Sequence, residues 1–222
     1  MKQSKKHELN HVDLCFVIDT TGSMQTFINA AQTQLLNTIK LLSDNNKIDL
    51  KLGLVEYRDH PPQDTTFVTR IYPLTSDLKK MQNSINQLNA DGGGDFPEAV
   101  YDGVKDACLK MQWREHSCRF ALLVGDAPPH GFPDGIYPGG LTYKDVTATA
   151  EKNRVVVHGL CMGGDRTTKD SFTTIAMQTG GKCVLSKNAD QVVNEMINML
   201  DNEFKDLIFD GEVLSLVSQL EN

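Results

Sequence analysis

Short apolar runs alternate with segments of helical periodicity along most of the chain. The runs at residues 14–18 (LCFVI) and 119–126 (RFALLVGD) are almost continuously apolar, which is typical of strands buried on both faces of a parallel sheet. Residues 66–72 follow a Pro-rich turn and predict an edge strand. The strands predicted from these runs lie at residues 14–18, 48–57, 66–72, 119–126, 155–160 and 182–186.

Between the runs, apolar residues recur every three or four positions, as they do on one face of an amphipathic helix. Ser76 is predicted to be the N-cap of the helix that begins near Leu78. The tail at residues 210–222 fits either a final helical turn or a flexible end. The alternation of strands and helices predicts a doubly wound α/β fold, in which a mostly parallel six-stranded sheet with one antiparallel edge strand is flanked by helices.

Length and composition fit one domain over residues 1–222, with a core at about 12–205. The formal net charge of −7 disfavours binding to nucleic acid or to an anionic membrane, because both depend on Lys and Arg. Five cysteines without a C-x-x-C spacing indicate reduced thiols. The polar N-terminus lacks the apolar stretch of a signal peptide, and no apolar run reaches the ~20 residues of a membrane span. We therefore expect a cytoplasmic protein.

Polar side chains directly follow the first predicted strand. Asp19, Thr21 and Ser23 place a carboxylate and two hydroxyls at alternate positions of a tight turn, and oxygen ligands in this pattern suit Mg²⁺. The alternative is that Ser23 caps the next helix and that Asp19 only stabilises a turn, since both residue types are ordinary in those roles. The motif alone leaves both interpretations open.

A second carboxylate, Asp126, ends the fourth predicted strand. Because Asp19 and Asp126 both end central parallel strands, we expect them to lie close together. Adjacent carboxylates repel unless a proton or a cation lies between them, which favours a metal site over a backbone-bonding role for Asp126. In the segment GGGDFPE at 92–98, Asp95 is a further candidate oxygen ligand. The alternatives are that Asp95 caps a helix and that Glu98 is a first-turn acid.

Together these motifs resemble the von Willebrand factor type A (VWA) fold, a Rossmann-like fold with a metal-ion-dependent adhesion site (MIDAS). DTTGS at 19–23 is similar to its D-x-S/T-x-S motif, and GGGDFPEAV and LLVGDAPPHG are similar to its second and third loops. With GLVEYRDHPP they resemble the intracellular α-kinase-linked branch. Many members have a Thr in the second loop where this chain has Phe96, so Asp95 is the substitute oxygen. The resemblance otherwise implies metal ligation by Asp19, Thr21, Ser23 and Asp126.

The expected function is metal-dependent protein binding, in which Mg²⁺ or Mn²⁺ coordinates an acidic side chain of a protein partner. A scaffold rather than an enzyme is expected. The alternatives are a metal-dependent, phosphatase-like hydrolase and a structural domain with a vestigial metal site. A haloacid-dehalogenase-type phosphatase needs a carboxylate where this chain has Thr21, and the sequence has no G-x-G-x-x-G or P-loop motif. The sequence leaves the partner's identity and the oligomeric state open.

Four further residues near these motifs are predicted to have ordinary structural roles. Arg58 and Asp59 follow the second predicted strand and are expected to form a surface ion pair; the alternative is that they shape a ligand surface on the same rim. His130 lies in a Pro-rich loop and is expected to be exposed, with a role as ligand or base as the alternative. Trp113 is expected to be a packing anchor at a helix end.

Overall fold

A six-stranded sheet with the order β3-β2-β1-β4-β5-β6 forms the centre of the molecule. The computed structural model describes residues 10–186 and 189–220. Strand β3 runs antiparallel to β2 at one edge, and all the other neighbouring strands are parallel. The predicted fold class is therefore confirmed. The strands are β1 (His11–Asp19), β2 (Asp49–Tyr57), β3 (Thr69–Thr75), β4 (Cys118–Gly125), β5 (Val155–Met162) and β6 (Cys183–Ser186).

Seven helices of the described chain cover the two faces of the sheet. Helices α1, α2, α3 and α7 pack on one face, and α4, α5 and α6 pack on the other. A π-helical segment, Ala31–Leu35, joins α1 to α2 without a break. The helices are α1 (Gln25–Ala30), α2 (Leu36–Asn45), α3 (Leu78–Asn86), α4 (Val100–Lys110), α5 (Tyr143–Lys152), α6 (Arg166–Gln178) and α7 (Ala189–Leu220).

The apolar runs form the central strands because both faces of these strands are covered. In β1, Leu14 and Phe16 point into one hydrophobic cluster, whereas Cys15 and Val17 point into the other. This alternation follows from the two-residue period of a strand. All four side chains are completely buried, so β1 must lie in the interior of the sheet.

Two predictions about helix ends are settled by the structure. Ser76 is not the N-cap of α3, because Asp77 occupies that position and accepts a hydrogen bond from the backbone amide of Lys80 at 3.0 Å. Both residue types are good caps, so the sequence could not decide between neighbours. At the other end of the chain, α7 continues to Leu220, which corresponds to the helical alternative for the tail up to that residue.

Trp113 is a packing anchor as predicted, although it lies three residues beyond the end of α4. Its indole N–H donates to the backbone carbonyls of Ala107 and Cys108, at 3.1 and 3.3 Å. No helix in residues 10–186 or 189–220 has the length and apolar character needed to cross a membrane.

Arg114 joins the amino ends of β1 and β2. Its Nε donates to Oδ1 of Asp13 at 2.7 Å, and its Nη1 donates to Oδ2 of Asp49 at 2.8 Å. Its Nη2 donates to the backbone carbonyls of Val12 and Asp49, each at 2.9 Å. Asp13 is fully buried within β1, so this arginine supplies the cation that a buried carboxylate requires.

The carboxyl ends of the strands lie on the opposite side of the sheet from Arg114, and the change in strand order falls between the central strands β1 and β4. From β1 the chain adds β2 and β3 on one side, and then returns to add β4, β5 and β6 on the other. Loops that leave the carboxyl ends of β1 and β4 therefore diverge and open a crevice between them, which is where ligands bind in folds of this kind.

Candidate functional site

Asp19 is the last residue of β1, at the carboxyl end of the sheet. Its Oδ1 accepts hydrogen bonds from the amide and the hydroxyl of Thr21, at 2.8 and 2.7 Å. Its Oδ2 is buried without a hydrogen-bond partner among the described residues. Burial, together with the charges of Asp126 and Asp59, raises the pKa of Asp19 to about 7 against the lowering effect of the Thr21 bonds. A buried carboxylate oxygen of this kind needs a proton or a cation.

Ser23 lies in a 3₁₀ turn, Gly22–Met24, and not at a helix N-cap. Its hydroxyl donates to Oδ1 of Asp126 at 3.0 Å. The position before α1 is Met24, which makes no side-chain capping bond. The alternative that Ser23 caps the following helix is therefore wrong, and the residue instead connects the loops after β1 and β4.

Asp126 follows β4 directly and lies close to Asp19, as the parallel strands predicted. The hydrogen bond from Ser23 fixes its carboxylate on the side of the first loop, and its charge contributes to the raised pKa of Asp19. The structure thus brings together Asp19, Thr21, Ser23 and Asp126, which were predicted as one set.

The glycine-rich segment approaches the first loop through its backbone. The amide of Gly22 donates to the carbonyl of Gly92 at 3.3 Å, and the amide of Asp91 donates to the carbonyl of Thr20 at 3.1 Å. Gly93 has a φ of +74°, and a Cβ at this position would lie 3.1 Å from Cβ of Thr21. A residue with a side chain would be strained here, so glycine permits the close contact of the two loops.

Asp95 lies at the rim of the crevice, where it is exposed. Its Oδ2 accepts a hydrogen bond from Nε2 of Gln63 at 3.3 Å. It does not cap α4, because that helix begins at Val100 and its N-cap is Ala99. The capping alternative for Asp95 is therefore wrong, and its carboxylate lines the same crevice as the first-loop residues.

Glu98 is a residue of the site that the sequence interpretation missed. It precedes α4, so it is not a first-turn acid of that helix; Asp102 is. It is only 3% exposed, and its Oε2 has no hydrogen-bond partner within the described part of the chain. Burial, reinforced by the charges of Asp19, Asp59 and other nearby carboxylates, raises the pKa of Glu98 to about 10. The sequence signal that could have indicated Glu98 is its position directly after Pro97, four residues beyond the last glycine of the loop.

These loops enclose a cleft of about 390 Å³ at the carboxyl end of the sheet. Carboxylates, hydroxyls and backbone groups line it together, and Phe96 provides an exposed apolar side chain at the rim. The lining residues are Thr21, Gly22, Ser23, Gly92, Gly93, Gly94, Asp95, Phe96, Glu98, Asp126 and Ala127.

The predicted surface ion pair after β2 is wrong. Arg58 and Asp59 are 6% and 0% exposed, and they bond in different directions. Arg58 contacts Oδ2 of Asp64 at 3.7 Å and donates to the carbonyl of Asn89 at 2.9 Å. Oδ1 of Asp59 instead lies 2.5 Å from Nε2 of His130. The prediction that His130 is exposed is also wrong, because its side chain is only 14% exposed.

Comparisons with known proteins identify the family and the fold of this chain. A family model described as von Willebrand factor A domain matches residues 13–188. The alpha-protein kinase vwkA of Dictyostelium discoideum is 30% identical over 135 residues, which cover 58% of this chain and 21% of the kinase. The chain thus matches only about a fifth of the length of that relative, and the kinase activity named there belongs to that protein.

Solved structures show the same fold. Proximal thread matrix protein 1 from the mussel byssus superimposes with a TM-score of 0.65 at 15% identity, over 87% of this chain and 46% of that one. A von Willebrand factor type A structure from Catenulispora acidiphila has a TM-score of 0.62 at 15% identity, over 85% of this chain and 41% of that one.

Proposed function

Because this chain belongs to the von Willebrand factor A domain family, we propose that it is a metal-dependent protein-binding module. Domains of this family are generally protein-interaction modules. The proposal adds that binding depends on Mg²⁺ or Mn²⁺ in the cleft and that the partner contributes an acidic side chain.

One observation carries the proposal: buried carboxylate oxygens converge at or beside the cleft, whose lining among the described residues includes no Lys or Arg. Oδ2 of Asp19 and Oε2 of Glu98 are both buried and lack a hydrogen-bond partner in the described residues. Burial, reinforced by neighbouring carboxylates that include Asp126, raises the pKa of both groups. A set made of carboxylates and hydroxyls fits a hard divalent cation, since Mg²⁺ prefers oxygen ligands and Mn²⁺ accepts them.

In this proposal the residues that hold the cation are Asp19, Thr21, Ser23 and Asp126, with Asp95 beside them. The bound cation would supply an open coordination position to an acidic group. Thr21 and Ser23 orient the two central carboxylates, because each hydroxyl donates to one of them. Phe96 at the rim offers apolar contact to a partner.

A hydrolase is the less supported alternative. Position 21, where a phosphatase of the haloacid-dehalogenase type needs an acid or base, is a threonine whose hydroxyl is engaged by Oδ1 of Asp19. We propose that the chain is not an enzyme. We also propose that it acts in the cytoplasm, and its five free cysteines support this location.

Calorimetric titration of the cation-free protein with Mg²⁺ or Mn²⁺ is expected to give a single site. In the Asp19→Ala, Ser23→Ala double variant the affinity is expected to fall by more than about tenfold, since a ligand and an orienting hydroxyl are lost. Asp134→Ala, which removes an exposed carboxylate from the loop after Asp126, is the control and should bind as the unmodified protein does. Equal affinity of the double variant would refute the site.

The same proteins test the function. Proteins captured from native lysate on the immobilised domain in Mg²⁺ should be lost in EDTA and on the double variant, but retained on Asp134→Ala. Capture that is identical in all four conditions, with cation binding intact, would favour a vestigial metal site over a metal-dependent module.

Asp95→Asn is expected to weaken cation binding by about fivefold, the effect of one charge worth roughly 1 kcal/mol near an exposed site. The asparagine oxygen still accepts the hydrogen bond from Gln63, so the loop is preserved and only the charge is removed. Asp91→Asn is the matched control, because Asp91 is exposed in the same loop but does not line the cleft. If both variants bind the cation equally well, Asp95 is not part of the site.

A further inference from the structure

A second cluster of potential metal ligands lies beside the cleft. Asp59, His60 and His130 each offer one ligand atom, and these three atoms lie within 4.8 Å of one another. Two of the residues follow β2, and the third lies in the loop after β4. The change in strand order therefore brings them together, as it does the oxygens of the cleft.

The carboxylate of Asp59 faces both imidazole rings. Its Oδ1 lies 2.5 Å from Nε2 of His130 and 3.7 Å from Nδ1 of His60. The two rings meet edge to face, with their centroids 5.8 Å apart. Asp59 is fully buried, and each histidine side chain is 14% exposed.

Two atoms of this cluster are buried and have no hydrogen-bond partner in the part of the chain that is described. They are Oδ2 of Asp59 and Nδ1 of His60. An unpartnered carboxylate oxygen on a fully buried side chain is costly, as is an unpartnered imidazole nitrogen. The hydrogen bonds within the cluster therefore leave one potential metal-ligating atom of Asp59 and one of His60 without a partner, and a cation would satisfy both.

The orientation of His60 points to the same conclusion. Its Nε2 lies 2.8 Å from Oδ2 of Asp102, which also accepts a hydrogen bond from the hydroxyl of Tyr137 at 2.9 Å. The ring of Tyr137 packs edge to face on that of His60, at 5.2 Å between centroids. A carboxylate on the far nitrogen is the usual outer partner of a histidine that binds a metal through its near nitrogen.

We propose that Asp59, His60 and His130 form a second metal site, which takes a transition-metal ion of the Zn²⁺ class. Two imidazoles and one carboxylate are a ligand set for Zn²⁺ rather than for Mg²⁺. Three protein ligands leave a fourth tetrahedral position to water or to a partner's side chain. This site has its own ligand set, distinct from that of the all-oxygen site of the cleft, and the charge of Asp59 couples the two sites electrostatically.

The cluster has a metal-free explanation that the experiment must separate from the proposal. A hydrogen bond between His130 and Asp59 would by itself fasten the loop after β4 to the end of β2. Such a pair would hold the loop without any ion. Such a pair would bind neither Co²⁺ nor Zn²⁺.

The test titrates Co²⁺ and then Zn²⁺ into the full chain in saturating Mg²⁺, with visible absorption and calorimetry as readouts. One equivalent of Co²⁺ should give the intense absorption of four-coordinate cobalt, and Zn²⁺ should abolish it. Zn²⁺ should also raise the melting temperature. His60→Gln and His130→Gln should each lower the Zn²⁺ affinity by at least about tenfold.

The controls separate this site from others. His116→Gln removes a half-exposed histidine elsewhere and should leave the cobalt spectrum intact. The Asp19→Ala, Ser23→Ala variant should also keep it, so that failure of the Mg²⁺ site is distinguishable from failure of this one. If the unmodified protein gives only the weak absorption of six-coordinate cobalt, or if the His60 and His130 variants bind Zn²⁺ as His116→Gln does, the proposal is wrong.

Discussion

Replacing Arg114 by alanine is expected to lower the free energy of unfolding by about 3–5 kcal/mol, the usual effect of removing one partner of a buried ion pair. The variant leaves Asp13 in the middle of the protein without its guanidinium. The amide of residue 114 and the hydroxyl of Ser117 still donate to Asp13, at 2.7 and 2.8 Å, but neither carries a charge. The variant also loses the three bonds that tie Asp49 and Val12 to this point.

Urea unfolding measures this difference directly. Arg166→Ala is the control, since its side chain is 92% exposed and pairs with Asp170 only on the surface of α6; a loss of no more than about 0.5 kcal/mol is expected there. Adding Asp13→Asn to Arg114→Ala should recover part of the loss, because the buried charge is removed. A loss below about 1 kcal/mol in Arg114→Ala would mean that solvent reaches Asp13.

The cation-free protein is expected to become less stable as the pH rises from about 5 to about 8. Burial, reinforced by nearby carboxylates, raises the pKa of Asp19 from 3.8 to about 7 and that of Glu98 from 4.5 to about 10. The folded state therefore holds both protons more tightly than the unfolded state. The stability that this provides is complete below about pH 4 and is lost as the pH rises, through about 7 for Asp19 and about 10 for Glu98.

Saturating Mg²⁺ should reverse this trend, because the cation competes with the proton of Asp19, offsets the negative charges that raise the pKa of Glu98, and stabilises only the folded state. Urea unfolding over this pH range, with EDTA and with Mg²⁺, tests both statements. Glu98→Gln should flatten the EDTA profile, while Asp134→Asn should leave it unchanged. Stability in EDTA that is level or rises towards about pH 8 would contradict the argument.

The fold and two residues of the candidate site, Asp19 and Asp126, could be predicted because the sequence patterns that indicate them are local. A strand buried on both faces is apolar along its whole length, so β1 and β4 were recognisable without knowledge of their neighbours. Asp19 and Asp126 stand directly after those strands. The rule that ligands bind where parallel strands end then sufficed to bring them together.

The remaining residues could not be placed because their environment is created by distant segments. Asp59 and His130 are 71 positions apart, and each alone has the appearance of a polar loop residue. Glu98 has the sequence context of a helix start, yet its backbone amide bonds to the carbonyl of Pro128 at 2.9 Å. That contact draws it into the interior beside Asp19. Burial of loop acids thus depends on which loops meet, and local periodicity carries no information about that.

The hydrogen bond from Ser23 to Asp126 spans 103 positions of the chain. It joins the loops after β1 and β4, and all of α1, α2, β2, β3, α3 and α4 lie in the chain between these two strands. Closing such a long loop is entropically costly, so we expect this contact to form late, after the folding transition state. A ligand held across these two strands stabilises contacts that are absent from an early transition state. It would therefore lengthen the lifetime of the native protein while leaving its folding rate almost unchanged.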